Sequence, residues 1–258
     1  MKYFICVLLL LVYAISYAEE DQRFFYNTEF YYDGVARQAR GHAYNLFESG
    51  FGLGLEYNDN SFRATLNTRN GFSLKGDRYH KEIGYKGKLD IELGYSIPKV
   101  WEPMIFTWNE YDNLALIRWQ GYLGGGVNIT AFENDFIVNI LTGGLAFNYI
   151  CYEKDPVYNT DRRQDFYLAY LFKDTFVVQP LPGLQIKCVF TFMPIYDFTC
   201  INIRTDFGIS VPLFRTDLSG RDTGADFTMM FSADHYTRHL TSAKRTDLIL
   251  GSFITFFI

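Results

Sequence analysis

Residues 84–97 read GYKGKLDIELGYSI, and side chains of opposite character alternate along this stretch. The apolar set consists of Tyr85, Leu89, Ile91, Leu93, Tyr95 and Ile97. The polar set consists of Lys86, Lys88, Asp90, Glu92 and Ser96. Successive residues of a strand point to opposite faces, so a period of two predicts a β-strand with one apolar and one charged face. The alternation does not say which face lies inside the protein.

The length of this strand bears on that question. Ten steps from Tyr85 to Tyr95 span about 33 Å at roughly 3.3 Å per residue. Tilted by about 40°, such a strand covers about 25 Å, which is the height of the apolar band on a membrane barrel. Tyr85 and Tyr95 then fall at the two edges of the band, where aromatic girdles contact lipid. A secreted β-sandwich is the alternative, but its strands are usually about 5–6 residues long. The length favours a membrane barrel.

Segments of this kind recur along the chain and are separated by turn residues. The predicted strands lie at about 23–32, 43–57, 61–72, 84–97, 104–111, 114–131, 135–149, 165–173, 184–193, 201–213, 225–234 and 248–258. The phase of the seventh strand is ambiguous, and the prolines of 98–103 separate the fourth from the fifth. Aromatic residues make up 19% of the chain, yet the mean hydropathy is near zero at −0.06. These features predict an all-β fold: a transmembrane, antiparallel, up-and-down β-barrel of about twelve strands.

In such a barrel the polar faces of the strands line the interior. The predicted lumen-facing residues are Lys86, Lys88, Asp90, Glu92, Arg118, Lys187, Arg204 and Asp206. Their charges are of both signs, and charges inside a protein must be paired or solvated. We therefore expect a wet or ion-paired lumen.

The connections between strands are predicted to differ at the two ends of the barrel. Those after the second, fourth and sixth strands are short, whereas those after the first (33–41), third, seventh and eleventh are longer. Outer-membrane barrels have short periplasmic turns and longer external loops. The remaining connections do not follow this asymmetry cleanly.

The amino terminus carries the features of a secretory signal peptide. Lys2 is followed by an apolar run over 4–12 and by the small residues Ser16 and Ala18. We predict that 1–18 is the signal peptide and 19–258 the barrel, exported to the outer membrane. The formal net charge of −5 argues against a nucleic-acid partner. The three later cysteines (151, 188 and 200) are too widely spaced for a disulfide framework or a zinc site.

Several motifs resemble a Gram-negative family, the salt-induced outer-membrane proteins, over about 44–258. They are MIFTWNEYDN, IRWQGYLGGGVNIT, MPIYDF, NIRTDFGISVPL and KRTDLILGSFITFF. The resemblance implies an outer-membrane barrel of undefined function. Residues 23–32 lie outside it, and Ile258 replaces the terminal aromatic residue that is usual for the family.

A catalytic function is the alternative to a channel. Outer-membrane phospholipases carry His-x-Ser-Asn-Gly, but the stretch GHAYN around His42 lacks both the serine and the glycine that follow the histidine in that motif. His42 and Ser49 would be about 23 Å apart along one strand, which rules out a local dyad. Asp234 and His235 are adjacent, so they point to opposite faces of a strand. No histidine or glutamate cluster has metal-ligand spacing, and no cofactor is predicted.

The sequence thus predicts a barrel that acts as a narrow channel, a structural wall protein or a surface-binding protein. The alternative is a barrel enzyme acting on phospholipid or lipopolysaccharide, which requires a histidine with a Ser, Thr or Asp partner at the membrane edge. The expected partners are outer-membrane lipid and, during biogenesis, the barrel-assembly machinery. We expect a monomer.

Overall fold

The chain folds into a closed β-barrel. Its structure is a computed structural model that describes residues 24–39, 42–58, 61–76, 81–95, 100–112, 117–152, 164–198, 201–218, 221–237 and 244–257. Those residues form twelve strands. They are β1 (Phe24–Ala39), β2 (His42–Asn58), β3 (Phe62–Gly76), β4 (Lys81–Tyr95), β5 (Trp101–Asp112), β6 (Ile117–Glu133), β7 (Ile137–Tyr152), β8 (Gln164–Leu181), β9 (Leu184–Pro194), β10 (Ile201–Leu218), β11 (Arg221–Thr237) and β12 (Lys244–Phe257). The predicted all-β, twelve-stranded barrel is confirmed.

Every strand pairs with its neighbours in sequence, and the pairing of β1 with β12 closes the barrel. All pairs are antiparallel, so the topology is up-and-down. Closure leaves no strand edge with unpaired backbone groups, which is what a sheet in lipid requires. No helix among the described residues is long and apolar enough to cross a membrane.

The first connection is shorter than the sequence predicts. Residues 33–39 were expected in a loop, but β1 continues through them and pairs with both β2 and β12. β8 likewise continues past the predicted end at 173 to Leu181, and Pro103 lies inside β5, opposite Val127, rather than before it. In each case neighbouring strands pair with the segment. The composition of 33–39 resembles a turn, whereas 174–178 contains the strand formers Thr175, Phe176, Val177 and Val178.

The strand bounds still leave connections of different lengths at the two ends. At the end that carries the termini, the connections are 59–61, 96–100, 134–136, 182–183 and 219–220. At the other end they are 40–41, 77–80, 113–116, 153–163, 195–200 and 238–243. Pro182-Gly183 forms a tight turn in which Gly183 has a φ of 83°, and proline followed by glycine suits that geometry.

Candidate functional site: the barrel interior

The register assigns each side chain to a face. Partners across an antiparallel pair point the same way, so the face of one residue propagates from strand to strand. Lys88 is opposite Arg69 on β3 and opposite Glu110 on β5. On the other face, Tyr85 and Tyr95 are 51% and 54% exposed, and the Tyr85 ring lies 5.3 Å from that of Phe72. Charged residues of β4 therefore share the interior, and its tyrosines lie on the outer surface.

A cavity of ≈ 250 Å³ lies inside the barrel along β10–β12 and β1–β5. Nine charged residues line it, and we call them the charged wall: Glu29, Glu48, Arg69, Lys86, Lys88, Asp90, Glu110, Arg204 and Asp234. Five are acidic and four are basic, so the wall is close to neutral although it is densely charged.

Ion pairs connect the strands of the charged wall. Arg69 Nε lies 3.2 Å from Glu29 Oε1, and its guanidinium stacks 3.7 Å from the centre of the Tyr31 ring. Lys86 Nζ lies 3.5 Å from Glu48 Oε2. Gly71, opposite Lys86 on β3, leaves room for the Tyr31 hydroxyl, which a Cβ at position 71 would overlap. The ion pairs of Arg69 with Glu29 and of Lys86 with Glu48 thus form part of the cavity lining.

Two further pairs form within single strands. Lys88 Nζ lies 2.7 Å from Asp90 Oδ2, and Arg204 Nε lies 2.9 Å from Asp206 Oδ2. Both join residues two apart, which lie on the same face of a strand.

An apolar cluster fills the interior on the opposite side, and we call it the apolar wall. It consists of Met104, Phe106, Trp108, Tyr122, Ala146, Leu171 and Met193, from β5 to β9. Phe106 is 2% exposed and stacks on Trp108 with ring centres 4.3 Å apart. Its ring fits over Gly124, where a Cβ would lie 2.5 Å from Phe106 Cζ. The lumen is therefore closed on one side by packed side chains and keeps its cavity on the other.

Comparison with solved structures supports this description. The translocator domain of the autotransporter NalP from Neisseria meningitidis superposes with a TM-score of 0.57 at 9% identity, covering 98% of this chain and 95% of that one. An outer-membrane channel from Pseudomonas putida F1 gives 0.54 at 13% identity, covering 91% and 95%. The beta domain of the Bordetella autotransporter Brka gives 0.51 at 9% identity, covering 92% and 99%.

The fold of this chain is that of outer-membrane β-barrels. No protein-family model and no curated protein sequence matches it. At these sequence identities the similarity establishes the fold alone. Function has to be inferred from the side chains of this barrel.

The predicted lumen residues fall into three groups in this barrel. Lys86, Lys88, Asp90 and Arg204 line the cavity. Glu92, Asp206 and Lys187 are inward-facing by register but lie outside its lining: Glu92 accepts a hydrogen bond of 3.1 Å from Trp108 Nε1, Asp206 pairs with Arg204, and Lys187 is opposite Gly208. Arg118 lies on β6, but its side chain is outside the described residues.

Two charged residues with interactions inside the barrel were not among the predicted lumen residues. Arg63 binds Glu102 at 2.6 Å near the end that carries the termini, and Lys173 reaches Trp108, with its Nζ 5.8 Å from the ring centre. Lys173 follows Phe172 immediately, so the alternation of β8 places it on the inward face. The sequence did not indicate this orientation because the predicted strand, 165–173, ends at Lys173.

A contact of His235 with a threonine bears on the alternative of a barrel enzyme. His235 Nδ1 lies 2.9 Å from Thr246 Oγ1, on the opposite face of β11 from Asp234. His235 and Thr246 are direct cross-strand neighbours, so this contact is also an ordinary sheet-stabilising pair. The side chain of His42 and all of His80 and His239 lie outside the described residues. Within the described ranges, no three His, Cys, Asp or Glu residues could hold a metal ion.

Proposed function

We propose that this barrel is a narrow channel of the bacterial outer membrane. One observation carries the proposal: the interior keeps a cavity of ≈ 250 Å³ bounded by nine charged side chains. A soluble β-protein would have no reason to enclose charges and expose large apolar side chains such as Phe166 (69%) and Leu123 (64%). In lipid, the same arrangement is expected.

The proposed path for solutes follows the charged wall. The apolar wall fills the opposite side of the lumen, so the path is eccentric and narrow. Side chains can fill much of a barrel of this size, and a narrow bore limits passage to small polar or charged solutes. A barrel with only a structural or surface-binding role remains the competing proposal, and it requires no ion current.

Further features of the proposal come from the sequence. Residues 1–18, which lie outside the described residues, would direct export as a cleaved signal peptide. Outer-membrane lipid and the barrel-assembly machinery would be its partners, and the barrel would be monomeric. The end with the shorter connections would face the periplasm. Membership of the salt-induced outer-membrane protein family is proposed on the motifs alone.

The test is ion conduction by the purified barrel in planar lipid bilayers. Replacing Lys86 and Lys88 together (Lys86→Glu with Lys88→Glu) turns a nearly neutral wall strongly acidic. We expect the permeability ratio to shift towards cations by several-fold, on the order of what a few unscreened charges do in a narrow, low-dielectric path. The charge-conserving pair Lys86→Arg and Lys88→Arg is the control and should keep the wild-type ratio. Absence of any wild-type current would defeat the channel and favour the structural role.

The lipid-acting enzyme is the weaker candidate. Its support is the contact of His235 with Thr246. A hydrogen-bonded cross-strand pair needs no catalytic explanation, so we do not assign it one.

A further inference from the structure

The interior holds two lysines that the ion pairs of the barrel do not neutralise. Lys173 on β8 and Lys187 on β9 both face inward by register. Among the described residues, neither has a carboxylate within ion-pair distance. By contrast, Lys86, Lys88, Arg63, Arg69 and Arg204 each have such a carboxylate.

Lys173 extends across the lumen. Its strand is three places from β5 around the barrel, yet its ammonium group lies 5.8 Å from the centre of the Trp108 ring. It is close enough to Lys187, Lys88 and Arg63 for electrostatic repulsion, and to Glu92 for attraction. Cations from opposite sides of the barrel therefore converge on one region, next to the cavity that Lys88 lines.

The nearby acids are already engaged. Glu92 accepts the Trp108 Nε1 hydrogen bond and lies 4.0 Å from Arg63 Nη2. Asp90 pairs with Lys88 at 2.7 Å, and Glu102 pairs with Arg63 at 2.6 Å. Glu102 also accepts a hydrogen bond of 3.0 Å from Asn128 Nδ2. Glu92, Asp90 and Glu102 thus already have partners, and none of the three forms an ion pair with Lys173 or Lys187.

We propose that Lys173 and Lys187, with Lys88 opposite them, form a binding site for small multivalent anions carrying phosphate or carboxylate groups. This rests on the proposed channel and names the class of solute that it favours. Lys173 is half-buried and Lys187 is exposed. An ammonium group without a carboxylate gains most from an anion that several lysines contact together, because charge-assisted hydrogen bonds are stronger out of bulk water. The site lies where Lys173 meets Trp108 of the apolar wall and approaches Lys88 of the charged wall.

Trp108 and Gly208 contribute to the geometry. The indole ring of Trp108, at the edge of the apolar wall, supports the Lys173 ammonium through a cation–π contact. Gly208, the β10 partner of Lys187, adds no side chain beside that lysine. Both lysines face the interior by register.

The experiment uses inorganic pyrophosphate and citrate as probes on the full barrel. In planar bilayers, micromolar to millimolar pyrophosphate should reduce the wild-type current, and the double variant Lys173→Gln/Lys187→Gln should need a roughly tenfold higher concentration for the same reduction. Arg215→Gln is the matched control. It removes an inward cation that is paired at 2.6 Å with Asp226 and stacked on Phe257, so inhibition should stay as in the wild type.

A second readout does not depend on conduction. Pyrophosphate and citrate should raise the thermal midpoint of the heat-modifiable gel migration of the wild type and of Arg215→Gln, but not of the double variant. If the wild type carries no current yet shows this shift, the channel fails and the anion site stands. If the wild type conducts but neither probe inhibits it or shifts the midpoint, the anion site fails and the channel stands. Equal inhibition of the wild type and the double variant would also overturn the site.

Discussion

The charged wall and the apolar wall line the same lumen, but their side chains differ in polarity and in exposure to solvent. The charged wall holds ion pairs that are half-exposed, such as Arg69 with Glu29 at 28% and 24% side-chain exposure. The apolar wall holds rings and methylenes with almost no exposure, as at Phe106 and Leu171. Half-exposed pairs gain little net stability, because solvent screens them and competes for their hydrogen bonds. Close packing gains more and blocks the bore. We therefore expect the apolar wall to contribute more to stability than the charged wall, whose side chains line the path of the proposed channel.

Truncating the centre of the apolar wall should have the largest effect. Phe106→Ala removes a ring that is 2% exposed and stacked on Trp108, so the free energy of unfolding should fall by about 3–5 kcal/mol. Denaturant titration of the barrel in lipid vesicles measures the loss. The unit conductance of folded Phe106→Ala barrels should rise, since the ring no longer occupies the bore.

Ile105→Ala is the control for that variant. Ile105 is the neighbouring residue of β5 on the outer face, at 59% exposure, so its truncation should cost less and leave the conductance unchanged. Equal losses at the two positions would contradict the assignment of stability to the apolar wall.

An intermediate effect is expected where the apolar wall meets the backbone. At Gly124 a new Cβ would lie 2.5 Å from both Phe106 Cζ and the Leu145 carbonyl oxygen. Gly124→Val should therefore destabilise the barrel by about 1–3 kcal/mol through overpacking. Gly143→Val is matched to it on β7, because no heavy atom lies within 4 Å of a Cβ at that position. The same titration should show a change near zero for Gly143→Val, and a comparable loss there would indicate a propensity effect instead of a steric one.

The smallest effect on stability is expected in the charged wall. Arg69→Gln removes the pair with Glu29 and the stacking on Tyr31, and should cost about 1 kcal/mol because the pair is half-exposed. A double-mutant cycle with Glu29→Gln isolates the pair, with an expected coupling of about 0.5–1 kcal/mol. A loss at Arg69 larger than that at Phe106 would reverse the ranking of the two walls.

Much of the architecture can be predicted from the sequence because the alternation that defines each strand depends on neighbouring residues. Alternation over 84–97 predicts β4, which the structure has as Lys81–Tyr95, and the clear pattern of β10 is located equally well. Errors occur where local composition contradicts the sheet. Asp33, Gly34 and the polar residues after them resemble a turn, but strands on both sides supply the hydrogen bonds that extend β1 to Ala39.

The candidate site is less predictable. The stretch MIFTWNEY has apolar residues on both faces. Its pattern therefore does not predict that Phe106 and Trp108 face the interior and that Ile105 lies on the outer surface. Similarly, the position of Lys173 on the inward face follows from alternation, but its approach to Trp108 depends on closure of the barrel.

The sequence alone determined the strand period, the number of strands and the contrast between the faces of β4, because each depends on residues within a few positions of one another. The tertiary structure decided which charges meet, where the cavity lies and which lysines lack an acidic partner. Those properties depend on side chains from strands far apart in the sequence, such as Lys88 and Lys187, and only the register and closure of the barrel bring such strands face to face.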